Sequence, residues 1–354
     1  MPPPSPATEE TTNMPERKED NTPIIYNDDD LDESKPKVFV GGRKSKLAVI
    51  QSQIVSENLR TAHTNKRFPV LAISTLGDQV SNKPLYSFGG KALWTKELET
   101  LLLEGNNGYK VDMIVHSLKD MPTTLPEGCV LGAITKREDP RDALIMPIDS
   151  PYRTLADLPA GSVVGTSSIR RSAQLKRRYP SLQFEDIRGS VNTRLAKLDD
   201  PNSKYACTIL AVAGLVRLGL GHRITSRLEA PDMYHAVGQG ALGIEIRQND
   251  ERTLKMLSAI NDTASSLCCR AERSLMKTLE GGCSVPIGVQ STYDEKAASL
   301  TLNGIVVSVD GTQCVEDSFQ AKAHTDQEAE AVGRQLAHTL IQKGAKDILD
   351  QIHL

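Results

Sequence analysis

Residues 165–171, Gly-Thr-Ser-Ser-Ile-Arg-Arg, place hydroxyl side chains and two arginines where a predicted strand meets a predicted helix. Thr166 and Ser167 can cap that helix, whose free backbone N–H groups and positive dipole end favour an anion. Arg170 and Arg171 add guanidiniums, and the rigid fork of guanidinium donors suits carboxylate and phosphate. The stretch therefore predicts an anion-binding site.

Further arginines follow other predicted strands. Because ligands of open α/β sheets bind outside the carboxyl ends of the strands, we expect these arginines to converge on one site. A solvated helix face explains any single arginine better, but it does not explain their repetition at strand ends. Nucleic-acid binding is the competing use, and the low aromatic content of 4% weakens it. The set comprises Arg43, Arg170, Arg171, Arg188, Arg194 and Arg217.

Residues 116–123, His-Ser-Leu-Lys-Asp-Met-Pro-Thr, lie at the carboxyl end of a predicted buried strand. Asp120 beside Lys119 can stay ionised inside a cleft, where a carboxylate stabilises a developing cation or accepts a proton. An ordinary strand-end turn with a surface ion pair is an equally weighted alternative. With no second carboxylate at a useful spacing and no nucleophile elbow in the sequence, hydrolase templates do not fit.

Cys283 lies in residues 281–286, Gly-Gly-Cys-Ser-Val-Pro, between a predicted helix and a predicted strand. Two glycines and a proline shape this loop, so its thiol is available for covalent chemistry, unlike Cys207 in a predicted core strand. From the residues alone, a small side chain in a turn is the favoured alternative. The six cysteines show no metal-ligand spacing and suit a reducing cytosol.

The segment from Asp78 to Lys91 is rich in Ser, Asn, Lys, Pro and Gly and has no clear period. It predicts either a mobile lid over the cleft or a passive loop. The sequence contains neither a Walker loop nor GxGxxG, and Gly238-Gln239-Gly240 is too short to be a dinucleotide motif.

The elements that must position these residues alternate between strand and helix from residue 37 to residue 247, which is typical of α/β domains. Crossings between two such units are predicted in residues 138–159 and near 238–240. The order then changes to helices followed by strands, which predicts an α+β tail domain. The predicted strands are 37–41, 70–75, 111–117, 162–165, 183–187, 207–212, 241–247, 284–292, 298–309 and 313–321; the predicted helices are 45–60, 92–104, 168–178, 191–198, 251–260, 264–279 and 326–342.

The formal charge of the 354 residues is −3, but it is unevenly distributed. Residues 1–36 carry ten acids, three bases and seven prolines, and predict a disordered acidic tail. The remaining residues stand at +4. The tail fits neither a transit peptide nor a secretory signal, and no apolar run reaches membrane-span length, so the sequence favours a cytoplasmic protein.

Taken together, these segments resemble the porphobilinogen deaminase (hydroxymethylbilane synthase) family, from about Val38 to the C-terminus. The order and spacing of the motifs carry the resemblance. They are residues 42–45 (Gly-Arg-Lys-Ser), 94–99 (Trp-Thr-Lys-Glu-Leu-Glu), 116–120, 165–171, 187–189 (Ile-Arg-Gly), 192–194 (Asn-Thr-Arg), 237–240 (Val-Gly-Gln-Gly) and 281–283.

The resemblance implies an enzyme that joins four porphobilinogen molecules head to tail with loss of ammonia and releases linear hydroxymethylbilane. It implies a dipyrromethane cofactor attached to Cys283 through a thioether, and Asp120 as the carboxylate that stabilises an azafulvene-like cation. The other implied binding residues are Arg43, Ser45, Lys119, Thr166, Ser167, Ser168, Arg170, Arg171, Arg188, Gly189, Arg194, Arg217 and Gln239. Lys91 and Trp94, which stands where the family is expected to have Phe, are assigned to the lid and to stacking on pyrroles.

The implied fold is α/β, with two lobes similar to periplasmic binding proteins, mixed and mainly parallel sheets, and a smaller α+β C-terminal domain. The expected domains are 37–137 with 237–261 (catalytic lobe), 138–236 (anion-binding lobe) and 262–354 (cofactor attachment). Porphobilinogen and linear pyrroles are the expected partners of a monomer that binds no metal, membrane or nucleic acid. A non-catalytic two-lobed binder of polycarboxylate anions is the alternative, and it would need neither Cys283 nor Asp120.

Overall fold

Three β-sheets organise the part of the chain that the computed structural model describes, residues 23–27, 32–75, 92–106, 108–279 and 285–352. The strands are β1 Ile24–Tyr26, β2 Val40–Arg43, β3 Val70–Ile73, β4 Met113–Ser117, β5 Cys129–Ile134, β6 Asp142–Ile145, β7 Val163–Gly165, β8 Gln183–Glu185, β9 Tyr205–Ala211, β10 Ser226–Leu228, β11 Leu242–Arg247, β12 Ile287–Asp294, β13 Ser299–Val307 and β14 Cys314–Lys322. The α-helices are α1 Lys46–Ala62, α2 Ala92–Leu103, α3 Ile169–Arg178, α4 Val191–Asp199, α5 Val212–Arg217, α6 Glu251–Leu257, α7 Thr263–Thr278, α8 Asp326–Gln342 and α9 Ala345–Asp350.

The first sheet forms one lobe, with the strand order β1-β3-β2-β4-β11-β5. β2 pairs in parallel with β3 and β4, while the β1–β3, β4–β11 and β11–β5 pairs are antiparallel. Strands β3 and β4 are almost wholly buried because helices α1 and α2 pack against this sheet. The carboxyl ends of β2 and β4 therefore lie side by side at one edge.

The second sheet forms the other lobe, with the order β10-β6-β9-β7-β8. β7 pairs in parallel with β8 and β9, and β6 pairs antiparallel with β9 and β10. The chain enters this sheet after β5 and returns to the first sheet at β11, so that it crosses between the lobes twice. The predicted domain boundaries stay predictions, and β1, which lies before the predicted start of the first lobe at residue 37, also belongs to the first sheet.

The C-terminal unit is a three-stranded antiparallel sheet, β12-β13-β14, packed against α7 and α8. A buried cluster that includes Leu275, Leu302 and Leu336 fills the space between sheet and helices. Asp262 accepts a hydrogen bond from the Ser265 N–H and caps α7, and Thr325 with Glu328 forms a capping box at α8. The predicted α+β tail domain is confirmed.

Two sequence expectations need correction. Ile24–Tyr26, inside the segment predicted to be disordered, pairs antiparallel with β3 because three residues of high β-propensity interrupt the acidic run. Among the described strands, the sheets of the two lobes are mixed but not mainly parallel, because only the four pairs formed by β2 and β7 are parallel and the other pairs of these two sheets are antiparallel. The antiparallel strands β5, β6 and β10 were missed; β6 lies in the proline- and acid-rich crossing, and β10 has only three residues.

Candidate active site

Asp120 lies in a single 3₁₀ turn, Leu118–Asp120, directly after β4. The Leu118 side chain is 1% exposed, and its N–H donates to the Ala241 carbonyl at 3.0 Å, which extends the pairing of β4 with β11. Asp120 itself is exposed. The turn therefore holds its apolar residue in the core and leaves the carboxylate at the carboxyl edge of the first sheet.

Lys119 contacts the chain crossing between the lobes. Its Nζ donates to Gln239 Oε1 at 3.4 Å. Burial lowers the pKa of Lys119 to about 8; the Asp120 carboxylate opposes this shift, and the Arg171 guanidinium adds to it. The ammonium thus lies between a carboxylate and cations of the other lobe.

Gln239 is only 1% exposed and joins the two lobes through its side-chain amide. Its Nε2 donates to Asp142 Oδ1 at 3.0 Å and to the Pro140 carbonyl at 2.7 Å. Gly240 follows at a φ of +91°, and a Cβ there would lie 2.3 Å from the Glu138 carbonyl oxygen. The Gly-Gln-Gly sequence therefore serves close backbone packing at the crossing.

Arg170 and Arg171 converge on one carboxylate of the protein, Asp142 on β6. Arg170 Nη1 donates to Asp142 Oδ2 at 2.7 Å, and Arg171 donates to Oδ1 through Nε and Nη2 at 3.0 and 2.7 Å. Burial alone would raise the pKa of Asp142, but the two guanidiniums outweigh it and hold that pKa well below its usual range. The sequence analysis did not identify Asp142, because the surrounding segment was predicted to be a crossing between lobes and its acids were not considered as partners of the arginines.

The hydroxyl residues before α3 differ in part from expectation. Ser168, rather than Thr166 or Ser167, is the N-cap residue of α3. The buried Thr166 accepts the Ser168 N–H at Oγ1, 3.2 Å away, and Ser167 donates to the Ile187 carbonyl at 3.1 Å. Ser167 is exposed, so a hydroxyl remains at the surface beside the start of the helix.

Arg194 lies among other cations. Its Nε donates to the Gly189 carbonyl at 2.9 Å, while Arg188 Nη2 donates to Asp186 Oδ2 at 2.7 Å. Burial lowers the pKa of Arg194, and the cations Arg171 and Arg188 lower it further, to about 10. Gly189 has a φ of +114°, which favours glycine at this turn. Neighbouring cations create a positive potential that favours an anion.

The remaining predicted binding residues lie on both lobes. Arg217 Nη2 donates to the Gly240 carbonyl at 2.6 Å, and burial lowers its pKa against the opposing Glu138 carboxylate. Arg43 is half-buried at the last position of β2, and the exposed Ser45 is the N-cap residue of α1. Arg43 and Ser45 thus belong to the same sheet edge as Asp120.

Several predicted residues lie outside the described part of the chain. These are Cys283, Lys91, the rest of the predicted lid and the side chain of Trp94. Helix α7 ends at Thr278, five residues before Cys283. Within the described residues, no group of three or more metal-ligating side chains occurs, and no helix has the length and apolar character to cross a membrane.

Two family models match the chain. One is described as porphobilinogen deaminase, dipyromethane cofactor binding domain, and matches residues 38–255. The other is described as porphobilinogen deaminase, C-terminal domain, and matches residues 266–342. Both lobes and the C-terminal sheet thus lie within matched segments, apart from β1.

Curated relatives named porphobilinogen deaminase are similar over almost the whole chain. The relative from Yarrowia lipolytica is 63% identical and covers 94% of this chain and 97% of its own length. The relative from Eremothecium gossypii is 62% identical, covering 89% and 97%, and that from Saccharomyces cerevisiae is 57% identical, covering 90% and 97%.

Among solved structures, an arginine-specific periplasmic binding protein of Salmonella typhimurium aligns with 64% of this chain and 92% of its own. Its TM-score is 0.35 and its identity 14%. The strand pairings of the first and second sheets define the two lobes of this chain.

Proposed function

The chain belongs to the porphobilinogen deaminase family, and on that premise we propose that it joins four porphobilinogen molecules head to tail. Each condensation releases ammonia, and linear hydroxymethylbilane is the product. The observation that carries the proposal is the exposed carboxylate of Asp120 at a sheet edge shared with Arg43 and next to Lys119. A carboxylate among cations suits chemistry on an anionic substrate in which positive charge develops.

The donor set fits a dipyrromethane cofactor. Each pyrrole derived from porphobilinogen carries an acetate and a propionate, so the growing chain adds two carboxylates with every ring. The cations around Arg194 lower its pKa and therefore favour an anion among them. When bound, the cofactor supplies the pyrrole primer on which the product grows. The residues assigned to hold these pyrroles are Arg43, Ser45, Lys119, Thr166, Ser167, Ser168, Arg170, Arg171, Arg188, Gly189, Arg194, Arg217 and Gln239.

Asp120 is assigned as the catalytic carboxylate. As ammonia leaves porphobilinogen, positive charge develops on the pyrrole, and a fixed carboxylate stabilises it. The same carboxylate can accept and return a proton at its Oδ atoms. The backbone on both sides of Asp120 is held in place, because Leu118 bonds to Ala241 and the Met121 N–H donates to the Leu118 carbonyl at 3.2 Å.

Arg43 and Arg194 are assigned to the incoming substrate, and Cys283 to a thioether bond with the cofactor. Residues 78–91 are assigned to a lid, together with Lys91 and Trp94. We also propose that the protein acts as a monomer in the cytoplasm and binds neither nucleic acid nor membrane. Size-exclusion chromatography with light scattering and fractionation of cells test those assignments directly.

Intact-mass measurement before and after addition of porphobilinogen tests the proposal. The purified chain is expected to carry one discrete adduct, which grows stepwise with substrate. Cys283→Ala removes the adduct, whereas Asp120→Asn keeps the fold and the bound pyrroles but loses most turnover, about 10²–10³-fold for a preorganised electrostatic group.

Cys314→Ala is the matched control for Cys283→Ala, since Cys314 is a half-buried free cysteine of the same unit. It should keep both adduct and turnover. An unmodified wild-type chain that does not consume porphobilinogen would leave only the non-catalytic binder of polycarboxylates. Near wild-type turnover of Asp120→Asn would refute the role of that carboxylate.

A further inference from the structure

Arg273 of helix α7 contacts the two residues that directly follow Asp120. Its Nη1 donates to the Met121 carbonyl at 3.1 Å, and its Nη2 donates to the Pro122 carbonyl at 2.5 Å. Arg273 is 8% exposed, so these bonds form away from bulk water. The two donors of one planar guanidinium therefore bind two successive carbonyls of the chain.

The same face of α7 also packs against the turn that contains Asp120. Cys269 lies four residues before Arg273, which puts both side chains on one side of the helix. Cys269 is fully buried and belongs to one apolar cluster with Leu118 and Met121. Helix α7 thus contacts the backbone after Asp120 through a guanidinium and the side chains around it through a buried thiol.

The beginning of α7 is tied to the same lobe. The Asp262 N–H donates to the Ile134 carbonyl at 2.9 Å, and Ser265 Oγ accepts the Arg137 N–H at 2.9 Å. The end of the helix, Thr278, leads within five residues to Cys283. Helix α7 therefore extends from the turn that carries Asp120 to a point five residues before Cys283 in the sequence.

We propose that Arg273 is a positioning residue for the reaction, which sets the place of the Asp120 turn relative to the helix leading to Cys283. This inference rests on the proposed function. A misplacement of about 1 Å between reacting groups costs on the order of 10²-fold in rate, so two hydrogen bonds to the residues after Asp120 have a direct effect on turnover.

Two variants of Arg273 test this role. Arg273→Met keeps an unbranched apolar side chain like the arginine stem and removes both donors. Its kcat is expected to fall at least about tenfold at nearly unchanged KM, while the covalent adduct stays at the wild-type mass. Arg273→Lys replaces the planar fork by a single ammonium and should give a kcat between those of Met and wild type.

Arg270→Met is the matched control on the same helix. Arg270 pairs with Asp326 at 2.9 Å and with Ser266 at 3.4 Å, which are contacts within the C-terminal unit. Its variant should keep the wild-type kcat. Thermal unfolding midpoints of all variants separate a loss of stability from a loss of position.

A double-mutant cycle with Asp120→Asn decides how Arg273 acts. If Arg273 acts through Asp120, Arg273→Met lowers kcat much less in the Asp120→Asn background than in the wild type. Full additivity, or a wild-type kcat in folded Arg273→Met, overturns the proposal. If Arg273→Met does not fold, a wild-type kcat in Arg273→Lys overturns it. A wild-type chain without an adduct instead overturns the proposed function, so the two failures are distinguishable.

Discussion

At the scale of single residues, Asp142 is the carboxylate that pairs with the arginines beside the crossing between the lobes. This single carboxylate accepts hydrogen bonds from Arg170, Arg171 and Gln239, and Gln239 accepts one from Lys119. Burial is the main cause of the lowered pKa of Lys119; Arg171 and Arg170 add to it, and the carboxylates of Asp120 and Asp142 oppose it. A ligand carboxylate beside Lys119 would favour its charged form.

Lys119 should make substrate binding sensitive to alkaline pH. Its pKa of about 8 means that the ammonium is charged below that pH and loses its proton as pH rises through it. A carboxylate of porphobilinogen then loses a charged donor, so KM should rise roughly tenfold above pH 8. Steady-state kinetics across pH 6.5–9.5, about the range of the two charge states, measures this.

Lys119→Arg keeps the charge throughout that range, so the rise of KM near pH 8 should vanish. Lys255→Arg is the control, since Lys255 is exposed on α6, and it should keep the wild-type profile. A rise near pH 8 that persists in Lys119→Arg would assign the titration to another group.

At the scale of elements, local sequence patterns predicted helices and strands, but they did not predict which residues distant in sequence contact each other. The helix Asp326–Gln342 was predicted at its observed bounds, because its apolar period and its Thr325–Glu328 capping box are local signals. The ion pairs of Arg170 and Arg171 with Asp142 span 28 and 29 residues. Arg273 meets Met121 across 152 residues. No local spacing encodes such contacts, so sequence indicated which side chains suit an anion but not what holds them.

Strand β1 should stabilise the lobe formed by the first sheet. Ile24–Tyr26 pairs with β3 in the register Ile24 to Ala72 and Tyr26 to Val70, and Tyr26 packs against the core of this lobe. Removal of β1 would leave β3, which still pairs with β2, as the edge strand of the first sheet. A chain that begins at residue 32 should therefore unfold at a lower temperature than one that begins at residue 23, by at least about 2 °C.

Truncation to residue 23 is the matched control, because it removes five acids and two bases but keeps β1. It should unfold at the wild-type temperature. Equal midpoints for the two truncated chains in differential scanning fluorimetry would show that β1 contributes no stability.

At the scale of the whole molecule, His235 lies where the returning crossing meets the C-terminal sheet. Its carbonyl accepts the Val289 N–H at 2.9 Å, and its ring is 3.5 Å from Arg137 Nη2. Burial lowers the pKa of His235, and the Arg137 guanidinium lowers it further, to about 4, against the opposing Glu272 carboxylate. The folded protein thus keeps this imidazole neutral at the junction of both lobes with the C-terminal unit.

Mild acid should therefore weaken this junction. The pKa of His235 is about 4 in the folded chain and about 6.5 in the unfolded chain. Between these two pH values, His235 therefore binds a proton in the unfolded chain but not in the folded one. Stability then rises with pH over this window and falls as pH drops, with a slope of up to about 1.4 kcal/mol per pH unit. Urea midpoints at several pH values within the window measure this slope.

His235→Gln cannot be protonated and should flatten the slope, whereas His338→Gln, at an exposed position of α8, should leave the slope unchanged. Equal slopes for wild type and His235→Gln would mean that this histidine does not couple protonation to the assembly of the three units.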